Sequence, residues 1–252
     1  AAYKQLSPSF ASTDLPAIRS LDQPALWAHG FGDWTTLSGN HNVAESKTRV
    51  SGFLMGVDMP AFDAWRLGLL AGYSHTNFRL NDRQSSAKSD DYTIGAYAGT
   101  AANYTQGVLA FRSGLSYTWH NIDMKRSVAF AGFEDTLSAD YKANTFQIFG
   151  ELGYAHRATE FLAIEPYANL AYVHLNTNAF REKDRHGAAL SLGKNTMDTG
   201  LSSLGLRITA ELNQDTLPLT ARADVAWRHA FGDITPDSEA RFARSHHFSI
   251  NG

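Results

Sequence analysis

From Leu26 onward the chain is a succession of segments in which apolar and other residues alternate, broken by stretches rich in Gly, Asn, Asp and Ser that read as turns or loops. A period of two is the mark of a strand whose two faces meet different surroundings. The alternation predicts nine strands, over residues 26–34, 49–58, 65–78, 90–99, 107–122, 143–156, 163–175, 198–212 and 219–231. Most of them reach the roughly nine to eleven residues that a membrane-crossing strand needs, whereas strands of soluble sheets centre on about five to six. Their connections also alternate. Residues 35–48, 81–89, 123–142 and 176–197 form long polar excursions, and the stretch after the ninth strand makes a fifth; 59–64, 100–106, 157–162 and 213–218 are short. Outer-membrane barrels have this asymmetry because their periplasmic turns are tight and their outward loops extended. The parity orients the chain, with the first strand rising from the periplasmic end.

Assigning alternate residues to opposite faces gives one apolar and one charged surface. Along the fifth strand Leu109, Phe111, Leu115, Tyr117 and Trp119 share a face opposite Arg112, Gly114, Ser116, Thr118 and His120. The sixth sends Phe146, Ile148, Leu152 and Tyr154 outward and Gln147, Phe149, Glu151 and Gly153 inward; the seventh contributes Glu165 and Asn169 to the inward face. Leu204, Leu206, Ile208 and Ala210 oppose Arg207 and Glu211, and Val225, Trp227 and Phe231 oppose Arg222, Asp224 and Arg228. Aromatic residues at the ends of the apolar faces, Trp65, Tyr73, Tyr117, Trp119, Tyr154, Tyr172 and Trp227, read as a lipid-facing belt at the two membrane interfaces. The competing reading is a soluble sandwich or lipocalin-like barrel with the apolar face inward. Such a fold has no reason to alternate long and short connections.

Composition narrows the function. Apolar residues make up 43% of the 252, yet no apolar run is long enough for a membrane-spanning helix. A formal charge of -3 without a basic stripe excludes a nucleic-acid partner. The absence of Cys removes disulfides and thiolate metal sites. No signal peptide opens the chain, so an export signal is expected upstream of Ala1. Residues 1–24 read as a linker threading the pore and 25–252 as the barrel domain. Ser7-Pro8 has the form of an N-cap followed by proline in the first turn, and Pro16 limits any helix, so a short helix and an extended leader both stand open.

Several stretches resemble the autotransporter β-domain of type V secretion: "RLGLLAGYSHTNF" at 66–78, "SDDYTIGAYAGT" at 89–100, "TFQIFGELGYAH" at 145–156, "IEPYANLAYVHLNTNAFRE" at 164–182, "TGLSSLGLR" at 199–207 and "RADVAWRHAFGD" at 222–233. They occur in the family's order. The resemblance implies an all-β, transmembrane, antiparallel up-and-down β-barrel of the outer-membrane type with about twelve strands, anchoring and exporting an N-terminal passenger to the cell surface. It also implies outer-membrane lipid, the chain's own passenger, the barrel assembly machinery and periplasmic chaperones as partners. With nine strands, an odd number, the chain is expected to lack about three strands at its C-terminal end.

The inward charges are expected to pair across the lumen wall and hold a water-filled pore in shape. In a further reading they also touch the linker or a passing unfolded chain, with Glu151 and Arg112 the first choices. Self-cleavage is an alternative chemistry, in which Glu151, Glu165 or Asp224 activates a backbone Asn; residues 1–21 contain no Asn, so that residue would precede Ala1. Otherwise the chain is not expected to be an enzyme. Ser74-His75 does not complete a nucleophile elbow and its two side chains point to opposite faces. His246-His247 has no third ligand at useful spacing, and no phosphate-binding loop is present, so neither metal nor cofactor is expected. A passive pore or a lipid-active barrel enzyme is the alternative function.

Overall fold

The computed structural model describes residues 23–37, 45–62, 64–80, 85–130, 132–184, 188–214, 217–233, 237–242 and 248–251. The pore-threading segment, apart from its last two residues, and His246-His247 lie outside them. Nine long strands form one antiparallel sheet: β1 (Ala25–Leu37), β2 (Ser46–Ala61), β3 (Trp65–Leu80), β4 (Ser85–Tyr104), β5 (Gly107–Phe130), β6 (Phe133–Arg157), β7 (Leu162–Thr177), β10 (Asn195–Gln214) and β11 (Leu217–Gly232). Each pairs with the next in that order. Among the described residues β1 pairs only with β2, and β11 only with β10. A second sheet of four short strands joins β8 (Phe180–Arg181), β9 (Leu190–Leu192), β12 (Asp237–Phe242) and β13 (Phe248–Asn251) in the order β13-β12-β9-β8.

The nine predicted strands coincide with these nine, each lengthened by the structure. Besides the excursion expected at 81–89, which is cut short because β4 already begins at Ser85, two connections depart from expectation. The predicted polar excursion at 123–142 is instead a continuation of β5 and β6 into a hairpin, paired from Asp123↔Asp140 to Phe130↔Phe133. Its alternation does not stop at Asp123: Leu137 and Ala139 occupy inward positions and are fully buried. The hairpin closes through two residues, and Gly132 takes φ 82 there, a left-handed conformation that a glycine adopts without steric cost. The second departure is 176–197, which carries β8 and β9; its described residues run along the edge of β6, bonded to it at Lys142 and Ser138, with Phe180 and Glu182 on the inward side. Arg126 donates to both carboxylate oxygens of buried Glu182 at 3.0 and 2.6 Å, and Tyr141 stacks on Phe180 at 4.1 Å. On the outward face Lys183 hydrogen-bonds Asp140 at 2.7 Å. That contact holds the Asp140 carboxyl below the usual carboxylate range, while its cross-strand partner Asp123 is pushed above it by a hydrogen bond to Asp140.

Side-chain sorting in the large sheet is inverted relative to a water-soluble protein. Val225 is 77% exposed, Leu69 64% and Leu204 59%, whereas Asp58 is 2% exposed and Glu151 5%. An apolar belt of this extent is unstable against water and matched to hydrocarbon. The polar face is concave: Trp27 on β1 and Tyr97 on β4 meet at 2.6 Å although three strand spacings, about 14 Å, separate their backbones.

Glycines let large inward side chains lie flat on that wall. Tyr97 covers Gly68, Phe149 covers Gly114 and Tyr167 covers Gly205, each directly opposite on the neighbouring strand. A Cβ on Gly114 would stand 2.7 Å from the Phe149 ring. Gly114→Val should therefore lower unfolding stability in lipid vesicles by about 1–3 kcal/mol, and Phe149→Leu in the same chain should recover part of the loss. Equal stability of Gly114→Val and the parent chain would show that the ring does not rest there.

The inversion has a spectroscopic consequence. In single-Trp variants of the full chain reconstituted with brominated lipid, Trp65, Trp119 and Trp227 should be strongly quenched and Trp27 protected. The opposite ranking would mean that the faces are reversed.

Candidate functional site

The concave face gathers its charges into a connected group at the β5–β6–β7–β10–β11 side. Arg112 Nη1 donates to Glu151 Oε1 at 2.9 Å and to Glu165 Oε1 at 2.8 Å. Arg207 pairs with the same two carboxylates at 3.4 and 3.2 Å and with Asp224 at 3.6 Å. Tyr167 closes the group: its hydroxyl donates to Asp224 at 3.0 Å, and the Arg207 guanidinium lies over its ring, 4.6 Å from the centroid. Two cations thus share three carboxylates and an aromatic face, which suits charge-assisted hydrogen bonding in a partly dehydrated wall.

Local sequence explains the reach of Glu165, which bonds a residue two strands away. It precedes Pro166, which lacks an N–H, and the β6–β7 ladder is interrupted between Gly153↔Tyr167 and His156↔Ile164. Diagonally across on β6, in register with Tyr167, lies Gly153, where an added Cβ would collide with the Glu165 carboxylate. The missing ladder bonds and missing side chain make room for Glu165 to lie along the wall toward Arg112.

Of the residues assigned inward from sequence, Arg112, Glu151, Glu165, Arg207 and Asp224 are brought together. Asn169 and Gln147 are buried on the same face, Asn169 in register with Glu151. Glu211, Arg222 and Arg228 are exposed, the last two on β11, which among the described residues pairs with β10 alone. Ser74 and His75 separate as expected, Ser74 bonding Asp91 at 3.3 Å on the inward face and His75 bonding Asp90 at 2.8 Å on the outward one.

Two inward clusters were not singled out in the sequence. Under β1–β4, buried Asp58 accepts from Tyr97 at 2.7 Å and pairs with Arg66, which also donates to the Gln23 carbonyl at 2.9 Å. Farther along the strands, Asp91 bonds His120 at 2.7 Å and Ser89 at 2.5 Å, while His120 reaches Thr145 at 2.8 Å. Strand parity carries the signal for both, since Asp58 and Asp91 fall on inward positions beside glycines and aromatics.

The lipid-facing belt is organised in register rows. Phe53, Tyr73, Tyr92 and Trp119 are successive cross-strand partners over β2–β5, with Tyr73 and Tyr92 centroids 5.3 Å apart. Tyr117 packs beside Trp119 at 4.8 Å, and Trp65 meets Phe111 edge-on at 6.2 Å toward the other end. Tyr154 lies outward against Gly107, Tyr172 gives its hydroxyl to Asp198 at 2.5 Å, and Trp227 is 62% exposed.

The model of the autotransporter β-domain family matches residues 26–252. The chain is 35% identical over 234 residues to an extracellular serine protease of Serratia marcescens, a match covering 93% of this chain and 21% of that protein. It spans about a fifth of the length of this relative and of a second extracellular serine protease of Serratia marcescens. Among solved structures, the transport unit of the autotransporter AIDA-I from Escherichia coli matches with a TM-score of 0.71 at 14% identity, over 100% of this chain and 81% of that one. The β domain of the Bordetella autotransporter BrkA matches with a TM-score of 0.65 at 18% identity, over 91% of each. These two likenesses concern the fold. With the family match running from the first strand onward, the chain belongs to the autotransporter β-domain family and is an outer-membrane translocator that supports passenger export.

Proposed function

We propose that the Arg112–Glu151–Glu165–Arg207–Asp224 group is the braced wall of a hydrated export path, and that a passenger N-terminal to the barrel moves past it in unfolded form. The observation that supports this most is mutual neutralisation. Every carboxylate of the group faces a guanidinium within 3.6 Å, so the wall is polar without presenting a strong net charge to an unfolded chain. Residues 1–24 are the linker that occupies the pore, and the passenger ends at the cell surface or in the medium. The β5–β6 hairpin and the small sheet belong to the outer end, where the longer connections gather. The barrel assembly machinery and periplasmic chaperones are the partners for insertion.

Family membership describes a translocating domain and not an enzyme. Self-cleavage of the linker by Glu151, Glu165 or Asp224 is the less favoured chemistry. A general base must lie within hydrogen-bond reach of the proton it abstracts, and all three carboxylates are held on the wall within 3.6 Å of Arg112 or Arg207.

Removing one partner leaves the other uncompensated on a wall only partly open to water. Glu151→Gln and Arg112→Gln should each leave a heat-modifiable barrel, with a double-mutant coupling of about 1–3 kcal/mol in urea unfolding. In planar bilayers each of Glu151→Ala and Arg112→Ala should change the conductance of the full-length protein. Coupling without any conductance change would restrict the group to bracing, and additive unfolding would remove even that role.

A further inference from the structure

Beyond the aromatic row Phe53–Tyr73–Tyr92–Trp119, the outward face of β2–β5 changes character. The second outward register row past it is Arg49–Asn77–Lys88–Asp123, and the third is Lys47–Arg79–Ser86–Lys125. Five cations thus stand on one patch of outer wall, where neither lumen nor passenger path reaches. Lys47, Arg49, Asn77 and Arg79 line a cleft of about 300 Å³ between the two strands that carry them. The acids nearby are engaged: Glu45 pairs with Lys47 at 2.9 Å, Asp90 accepts from Tyr73 at 2.5 Å and contacts His75 at 2.8 Å, and Asp123 bonds Asp140. Among the described residues no carboxylate forms an ion pair with Arg49, Arg79, Lys88 or Lys125.

We infer that this cleft and the cations around it bind the phosphate groups of a phosphorylated glycolipid in the outer leaflet. The inference rests on the membrane reading and on the orientation proposed above. The aromatic row marks the boundary of the hydrocarbon. Arg49 and Arg79 stand four and six residues beyond it, about 13 and 20 Å along strands that rise about 3.3 Å per residue, or roughly 10 and 15 Å along the membrane normal at a tilt of about 40°. A phospholipid headgroup layer is only about 5–8 Å deep. Phosphates carried on a sugar headgroup extend into the zone where these guanidiniums stand, and the paired donors of Arg49 and Arg79 suit tetrahedral phosphate oxygens. Asn77, between them in the cleft, adds a neutral donor for a sugar or phosphate oxygen.

The test uses the full chain folded in detergent, with binding read by native mass spectrometry and by titration against four probes: a diphosphorylated diglucosamine lipid, its dephosphorylated form, phosphatidylglycerol and inorganic phosphate. The diphosphorylated glycolipid should bind tightest. Arg49→Gln/Arg79→Gln should weaken it roughly 30-fold, about fivefold for each cation removed, with heat-modifiable migration unchanged, and Arg49→Lys/Arg79→Lys should restore most of the loss. Lys88→Gln/Lys125→Gln provides an independent variant on the neighbouring strands and should weaken binding in the same direction. Equal binding by the Gln variants and the parent, or equal binding of the dephosphorylated lipid, overturns the proposal. Inorganic phosphate binding as tightly as the glycolipid reassigns the cleft to free anions, and tighter phosphatidylglycerol binding reassigns it to the other leaflet; both overturn the source inferred here. A chain that folds without any shift in migration and stays soluble without detergent contradicts the membrane reading itself, which separates that failure from failure at the cleft.

Discussion

In hydrocarbon, a backbone N–H or C=O without a partner costs several kcal/mol, so a chain that crosses a membrane in strands must satisfy them between strands. The nine-strand meander does this by pairing each strand with the next long strand along the chain, β7 with β10 across the intervening β8 and β9. The rest of the structure follows from that requirement. Once the backbone is locked in an antiparallel ladder, alternate side chains must face lipid, and the apolar face of Leu69, Leu204 and Val225 is turned outward. Polar groups are left to the concave side. The strands at the two margins, β1 and β11, carry the same requirement, since an edge open to hydrocarbon is not tolerated.

A polar interior brings its own constraint, because charges packed against one another in a narrow space must be paired. Here they are shared. Arg112 and Arg207 each contact both Glu151 and Glu165, so loss of one contact does not isolate either carboxylate. Glycine supplies the space: Tyr97, Phe149 and Tyr167 lie against Gly68, Gly114 and Gly205 instead of projecting into the lumen. Pro166 and Gly153 then allow Glu165 to reach across two strands. Backbone chemistry and charge chemistry meet at that point, and the resulting wall is polar, braced and weakly charged. Those are the properties that the proposed path for an unfolded passenger requires.

Most of the sheet is legible in the sequence because its signal is periodic: every predicted strand corresponds to one of the nine, and the inward charges of β5, β6, β7, β10 and β11 follow from parity alone. Partnership is less legible. Parity places Glu165 on the inner face but does not reveal that a proline-interrupted ladder lets it bond Arg112. The Trp27–Tyr97–Asp58–Arg66 cluster joins β1 through β4 by curvature, which no linear pattern encodes. The outer hairpin was hidden for a different reason. Asp123, Lys125 and Arg126 give residues 123–142 the polarity of a loop, although Leu137, Ala139 and Tyr141 continue the alternation on the inward face.

The most direct test of the central claim is to locate a passenger caught in transit through the full-length protein. The chain contains no Cys, so single cysteines can be introduced cleanly at adjacent positions of β10 that face opposite ways. With export stalled, Ser203→Cys on the concave face should crosslink to the passenger, whereas Leu204→Cys on the lipid face should not. Crosslinking from Leu204→Cys and none from Ser203→Cys would place the passenger outside the barrel wall and contradict the account.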